Sequence, residues 1–204
     1  MRHFGKTKRK MKITNDLTEN NLDTLIKSFP IELKEDVEIV VEFLNSKKLR
    51  IHTYLEKEIF INIETIYIPG RIYTAENLKI NEIILSEKQQ TILNCLYLTH
   101  NDGYLRQQKL ELLKDKYDDF VIPYKMKILG EYVIEIITDL EKHINEKSIK
   151  NFIKFINENP NYWRLTKSRI VSYWGEYYRH TSKLKDYVGY KIIKKLETEL
   201  KNEK

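Results

Sequence analysis

The sequence predicts a mainly helical α+β chain, in which a small N-terminal module of helices and a β-meander packs on three antiparallel helix pairs. Three observations predict it. Glycine and proline are scarce, six and four in 204 residues, which disfavours a turn-rich β-sandwich and favours helices joined by short links. The apolar period is about 3.6 up to Ser46, shortens to about two across residues 48–74, and returns to the helical value from Ser86 onward. Hydrophobic residues make up 41% of the chain, enough for a core despite 32% charged residues.

Residues 1–12 carry six basic side chains and no acid, and a disordered basic tail is expected there. "MKITNDLTENN" from Met11 reads as a natural start, which would make residues 1–10 an extension. In "TNDLTENNLDTLIKSF", Asn and Thr caps precede Leu22, Leu25, Ile26 and Phe29 at helical spacing. Pro30 interrupts, and "PIELKEDVEIVVEFLNS" continues with Leu33, Val37, Val40, Val41 and Leu44 on one stripe. "LRIHTYL" and "EIFINI" then alternate, the second through Ile59, Ile61 and Ile63, with "EKE" read as the hairpin link between them. "TIYIPGRIY" reads as a third strand broken at Pro69-Gly70. Residues 13–85 thus form the α+β module, which needs a helical face to cover its sheet.

Residues 86–204 read as helices throughout. Ser86 with Gln89 forms a capping box for "EKQQTILNCLYLTHN", and "NDG" at 101–103 turns into "YLRQQKLELLKD". "DDFVIPYKMKILGEYVIEIITDLEKHIN" reads as one long helix with Pro123 in its first turn. "SIKNFIKFINENP", "NYWRLTKSRIVSYWGEYYRH" and "KDYVGYKIIKKLETELK" follow. Within this region "ILGEYVIEI" (128–136) and "YWGEYYRHT" (173–181) share Gly, Glu and Tyr at a spacing of 45 residues. On a wheel of about 100° per residue, Ile170, Val171, Trp174, Tyr177, Tyr178 and Thr181 fall on one apolar arc. The shift of 45 sets Met126, Leu129, Tyr132, Val133 and Ile136 on the same arc, with Lys125 opposite Ile170 as the departure. Trp174, Tyr177 and Tyr178 are therefore expected in the core.

A period in the forties built from two helices resembles HEAT and armadillo repeats over residues 86–202. That resemblance implies an interaction surface and no particular activity. The strings "IPGRIY", "HNDGYLRQ", "GEYVIEI" and "SYWGEYYR" also resemble an uncharacterised bacterial family, which implies no activity either.

Charge is divided along the chain. The whole carries +6, residues 13–141 carry −8 and residues 142–204 carry +8. Either the two parts attract each other inside the fold or the C-terminal third offers a basic face to an anionic partner. The one cysteine, Cys95, lies in the apolar run "TILNCLYL", so it reads as a small buried hydrophobe and no disulfide can form within the chain. No segment approaches the ~18 apolar residues of a membrane span, and no secretory signal is recognisable. A cytoplasmic protein with no membrane contact is expected.

No phosphate loop, dinucleotide fingerprint, nucleophile elbow or His-Glu-x-x-His motif occurs, so no catalytic residue, metal or cofactor is assigned and a non-enzyme is expected. His100 and Asp102 flank the "HND" turn and read as capping and turn residues. Arg71 and Arg106 sit beside chain breaks, from which either could reach an acid of the negative region. One polar patch is proposed from the aligned flanks: Glu131, Glu135, Arg169, Tyr173, Glu176 and His180. It serves either as an ion-pair ladder between repeats or as a ligand or anion site. The favoured function is a non-catalytic scaffold that binds another protein. The alternative is a nucleic-acid-binding protein shaped like the HEAT-like DNA glycosylases, contacting its ligand through Trp163, Arg164, Lys167, Arg169, Tyr173, Arg179 and Lys183. A small partner protein of a bacterial defence or toxin pair is a further reading.

Overall fold

The computed structural model describes residues 19–46, 49–52, 57–74 and 85–202. The basic tail of residues 1–12 and the strand ends and link at 53–56 lie outside the described residues. What is described is mainly helical, with two small antiparallel strand pairs.

Helices α1 (Glu19–Ile26) and α2 (Lys34–Asn45) are joined around Pro30, which opens a short 3-10 turn. The stripe read from the sequence is the buried one: Leu25, Phe29, Leu33, Val37, Val40, Val41 and Leu44 all point inward. Burying each aliphatic side chain contributes roughly 1.5–3 kcal/mol.

The strands are β1 (Arg50–His52), β2 (Lys57–Ile61), β3 (Glu64–Ile68) and β4 (Arg71–Tyr73). They do not form the expected meander. β2 and β3 make a hairpin, while β1 pairs with β4, Ile51 facing Ile72. The chain breaks at Pro69-Gly70, after which β4 pairs with β1, and the β2–β3 hairpin turns at Asn62, whose φ of 50° places it in the left-handed region that Asn tolerates. That lets the chain reverse at residues 62–63. Lys57 and Glu58, read as part of a link, belong to β2, and Ile63, read as inward, stands fully exposed at the tip. The edge of β2 is held by Asn159, whose side chain accepts from the Phe60 amide and donates to its carbonyl, both at 2.8 Å.

The helical region contains α3 (Glu87–Tyr97), α4 (Gly103–Leu112), α5 (Ile122–Leu129), α6 (Ile134–His143), α7 (Ile149–Glu158), α8 (Pro160–Tyr173) and α9 (Val188–Asn202). Ser86 and Gln89 make both bonds of the capping box. Asp102 caps α4 by accepting from the amides of Tyr104 and Leu105, and Pro123 lies in the first turn of α5. The long helix read over this stretch is instead two helices, broken across residues 130–133. Gly130 lowers helix propensity there, and Glu131 is drawn out of the helical path by two arginines described below.

The second copy of the Gly-Glu-Tyr string also departs from an α-helix. α8 runs into a π-helical turn, Trp174–Tyr178. Its i→i+5 bonding is wider than an α turn, so the wheel used on the sequence drifts out of phase. Ile170 is buried as expected; Val171, ahead of the turn at the edge of the arc, is exposed, and from the turn onward Tyr177 and Thr181 are exposed and Trp174 and Tyr178 only half-buried. The same correction applies to Tyr132, which is 48% exposed rather than internal.

One hydrophobic core runs from Leu25 to Leu196. α2 packs on α3, and β4 is tied to the α3–α4 turn through the Ile72 amide to Thr99 O and the Asn101 amide to Ile72 O, both 3.1 Å. The N-terminal module and the helical region therefore share an interior.

Candidate functional site

Glu131 stands where three chain reversals meet. Tying β4 to the α3–α4 turn brings Arg71 of "IPGRIY" beside Arg106 of "DGYLRQQ", and the α5–α6 break swings Glu131 toward both. Arg71 Nη1 donates to Glu131 Oε1 at 2.8 Å. Arg106 Nη2 lies 2.9 Å from Oε2 in charge contact, off the direction of a hydrogen bond. Arg106 Nη1 donates to the carbonyls of His100 and Asn101 at 2.7 and 3.0 Å. Its Nε is buried with no hydrogen-bond partner among the described residues. The side chains of Arg106 and Glu131 are 4% and 6% exposed, so this pair sits in a medium that screens poorly.

More cations gather here. Lys127 Nζ donates to Pro69 O and Gly70 O at 3.1 and 2.6 Å. Burial, reinforced by the charge of Arg71, pulls its ammonium down to about 7. Arg169 passes over Gly130, where a Cβ atom would lie 3.7 Å from both its Cδ and its Nη1. Lys57, paired with Ile68 in the hairpin, is held below the usual lysine range by burial and then by Arg169. The phenol of Tyr162 is raised by burial and feels Arg169 and Glu131 in opposite senses. Against these cations stand Glu131 and, on the outer side of Arg106, Asp102.

A tyrosine cluster adjoins this charge. Tyr132 follows Glu131 directly, and its ring meets Tyr173 edge-on at 6.0 Å and Tyr177 at 5.5 Å. Tyr173 and Tyr177 lie 6.3 Å apart. Tyr178 continues the series, stacking on buried Tyr187 at 5.3 Å, and its hydroxyl donates to Tyr132 O at 2.7 Å. Tyr177 and Tyr178 are neighbours on the π turn, their ring centroids 6.3 Å apart.

The residues of the polar patch read from the sequence are thus divided. Glu131 and Arg169 lie at the cation cluster, but Glu131 pairs with Arg71 and Arg106 rather than forming a ladder with Arg169. Tyr173 belongs to the ring cluster. Glu135 is exposed on the first turn of α6 and raises the pKa of the Tyr178 phenol after burial does. Glu176 is exposed on the π turn, and exposed His180 accepts from Arg179 Nε at 3.1 Å. Of the residues read for nucleic acid, Trp163 is buried with Lys167 Nζ over its ring at 5.6 Å, and Lys167 is paired with Glu197 at 2.9 Å. Arg164, Arg179 and Lys183 are exposed.

The sequence reading missed Lys57, Lys127 and Tyr132 as site residues. Lys127 is four residues before Glu131, a spacing that pairs them on an unbroken helix; with the helix broken at Gly130, Lys127 bonds the carbonyls of the β3–β4 link instead. At the neighbouring turn, His100 Nδ1 faces the Asp102 amide at 3.0 Å, and Nε2 faces the Thr74 amide at 3.3 Å and Thr74 Oγ1 at 3.2 Å. The pair does turn chemistry, as expected. A separate cleft of about 640 Å³ is lined by residues of both signs, among them Asp115, Glu146, Lys147 and Lys195. Among the described residues no His, Cys, Asp and Glu side chains group as a metal site, and no helix is long and apolar enough to cross a membrane.

Compared with protein-family models, curated proteins and solved structures, the chain matches none.

Proposed function

We propose that this chain is a non-catalytic binding protein whose helical region docks another protein on the Tyr132–Tyr173–Tyr177 surface. The observation that carries the reading is that three rings touch one another at the surface, with Tyr132 48% and Tyr177 55% exposed. Exposed tyrosines held rigid are the side chains that dominate protein interfaces, because they offer large contact area at little conformational cost. Here the hydroxyl of Tyr178 on Tyr132 O and the stack on Tyr187 pre-organise the cluster. A HEAT-like curvature of the helical region would suit such docking, and the single buried thiol supports a reducing compartment such as the cytoplasm.

The test is site-specific photo-crosslinking in cells. A photoreactive residue at Tyr177 should yield a discrete protein adduct, whereas one at Tyr104, 83% exposed on α4, should not. Replacing Tyr132 and Tyr177 by alanine should weaken the complex by about tenfold or more, the scale of a hot-spot residue. Equal adducts from Tyr104 and Tyr177 would defeat the reading.

The nucleic-acid alternative keeps exposed Arg164, Arg179 and Lys183, while buried Trp163 is unavailable for stacking. Binding of a duplex or single strand that persists without residues 1–10 and falls steeply with salt would favour it over protein docking.

A further inference from the structure

Charge bookkeeping at the cation cluster leaves an imbalance. Lys57, Arg71, Arg106, Lys127 and Arg169 are linked by contacts and by mutual fields, and among the described residues Glu131 is the only buried carboxylate beside them. Buried or half-buried charges are ordinarily paired, since like charges in a poorly screened setting repel and each loses its hydration. Arg71 and Arg106 divide the two oxygens of Glu131 between them. Lys127 spends its donors on neutral carbonyls. Arg169 and Lys57 make no ion pair with any described carboxylate, though each is half-buried and Lys57 feels the charge of Arg169. Arg106 Nε adds a buried donor with no hydrogen-bond partner among the described residues.

The cluster is held in place rather than collected by chance. Arg71 is set by the β1–β4 pairing, Arg106 by two carbonyl bonds, Lys127 by two more, and Arg169 by its passage over Gly130. Lys57, Arg71 and Arg169 are its partly exposed members, and Tyr132, in ring contact with Tyr173, follows Glu131 directly in the chain. Fixed donors of one sign, with a single buried carboxylate against them among the described residues, are what a tetrahedral oxyanion needs. A phosphoryl group accepts several charge-assisted hydrogen bonds at once, and guanidinium groups suit its geometry.

We propose that Lys57, Arg71 and Arg169 form a binding site for a phosphoryl oxyanion, backed by Arg106 and Lys127. This goes beyond protein docking and does not depend on it. The phosphoryl group can be free phosphate or one carried on a planar ring, for which the adjoining tyrosines supply a stacking face.

The test uses the full chain, titrated with inorganic phosphate while sodium chloride holds ionic strength constant. A saturable rise in melting temperature and a one-to-one calorimetric isotherm are expected, because a ligand that binds only the folded chain stabilises it. Arg169→Gln and Lys57→Gln should each weaken phosphate by about tenfold or more, the loss of one charge-assisted hydrogen bond. Lys201→Gln, an exposed cation in the last turn of α9, should leave it unchanged. Broadening of the phosphorus-31 resonance by the unaltered protein reads binding without any variant, so a folding failure in Arg169→Gln cannot hide the answer. Adenosine 5′-monophosphate forms the second arm. Tighter binding than phosphate, reversed by Tyr132→Ala, identifies a ring-borne phosphoryl group; equal binding identifies free phosphate. Phosphate and nucleotide that stabilise no more than matched chloride, or that bind Arg169→Gln and Lys201→Gln alike, overturn the site.

Discussion

Glu131 is the shared partner of Arg71 and Arg106, and its removal should be costly. Glu131→Ala leaves both guanidinium groups without their carboxylate, one of them almost wholly buried. Losing one partner of a buried ion pair costs about 3–5 kcal/mol, and a chemical-denaturation curve should show a loss of that size. His143 gives the pH dependence. It is fully buried, and both ring nitrogens lack hydrogen-bond partners among the described residues. Burial, with Lys125 and Lys114 adding to it and Asp139 and Asp115 opposing, lowers its imidazole from 6.5 to about 4. Between those values the unfolded chain binds a proton that the native chain refuses, so stability falls as pH drops from 6.5 to 4. The slope from this residue is at most about 1.4 kcal/mol per pH unit. His143→Leu should remove that part of the acid sensitivity and cost little at neutral pH, since no hydrogen bond is lost. Melting temperatures of both proteins across this range would check it; parallel curves would refute it.

At the scale of elements, close approach and capping decide stability. Gly189 lies in the first turn of α9, where an added Cβ would come within 2.9 Å of Tyr187 Cε1 and 3.1 Å of Ile170 Cγ2. Both neighbours are buried and cannot retreat into solvent. Gly189→Ala should therefore cost about 1–3 kcal/mol by overpacking, even though alanine favours a helix. Gly175→Ala meets nothing within 4 Å and serves as the control. Asp102→Ala should cost about 1 kcal/mol, because it frees the amides of Tyr104 and Leu105 at the start of α4. These caps were legible in the sequence: Ser86 with Gln89, Asp102 before Gly103, and Pro123 inside the first turn of α5 are local devices, and local chemistry suffices to place them. The break after Leu129 and the π turn at Trp174 were not legible, since each apolar pattern there also fits a continuous α-helix.

The whole molecule should unfold as one unit. The core runs without interruption from Leu25 to Leu196, with α2 on α3 and β4 joined to the α3–α4 turn. Far-ultraviolet dichroism and tryptophan fluorescence, the latter reporting only Trp163 and Trp174, should give coincident denaturant transitions. Two separated transitions would mean that the N-terminal module and the helical region are independent. By itself the sequence determined the helical class, the buried stripe of α2, the burial of Cys95 and the capping residues, because each depends on spacing or on chemistry within a turn or two. Only the tertiary structure decided that β1 pairs with β4, that Tyr132 and Tyr177 face outward, and that Arg71, Arg106 and Glu131 meet. Those outcomes join residues as much as 60 apart in the chain. They depend on which way a break at Gly130 or a reversal at Asn62 sends the backbone, and a periodicity confined to one segment carries no record of that direction.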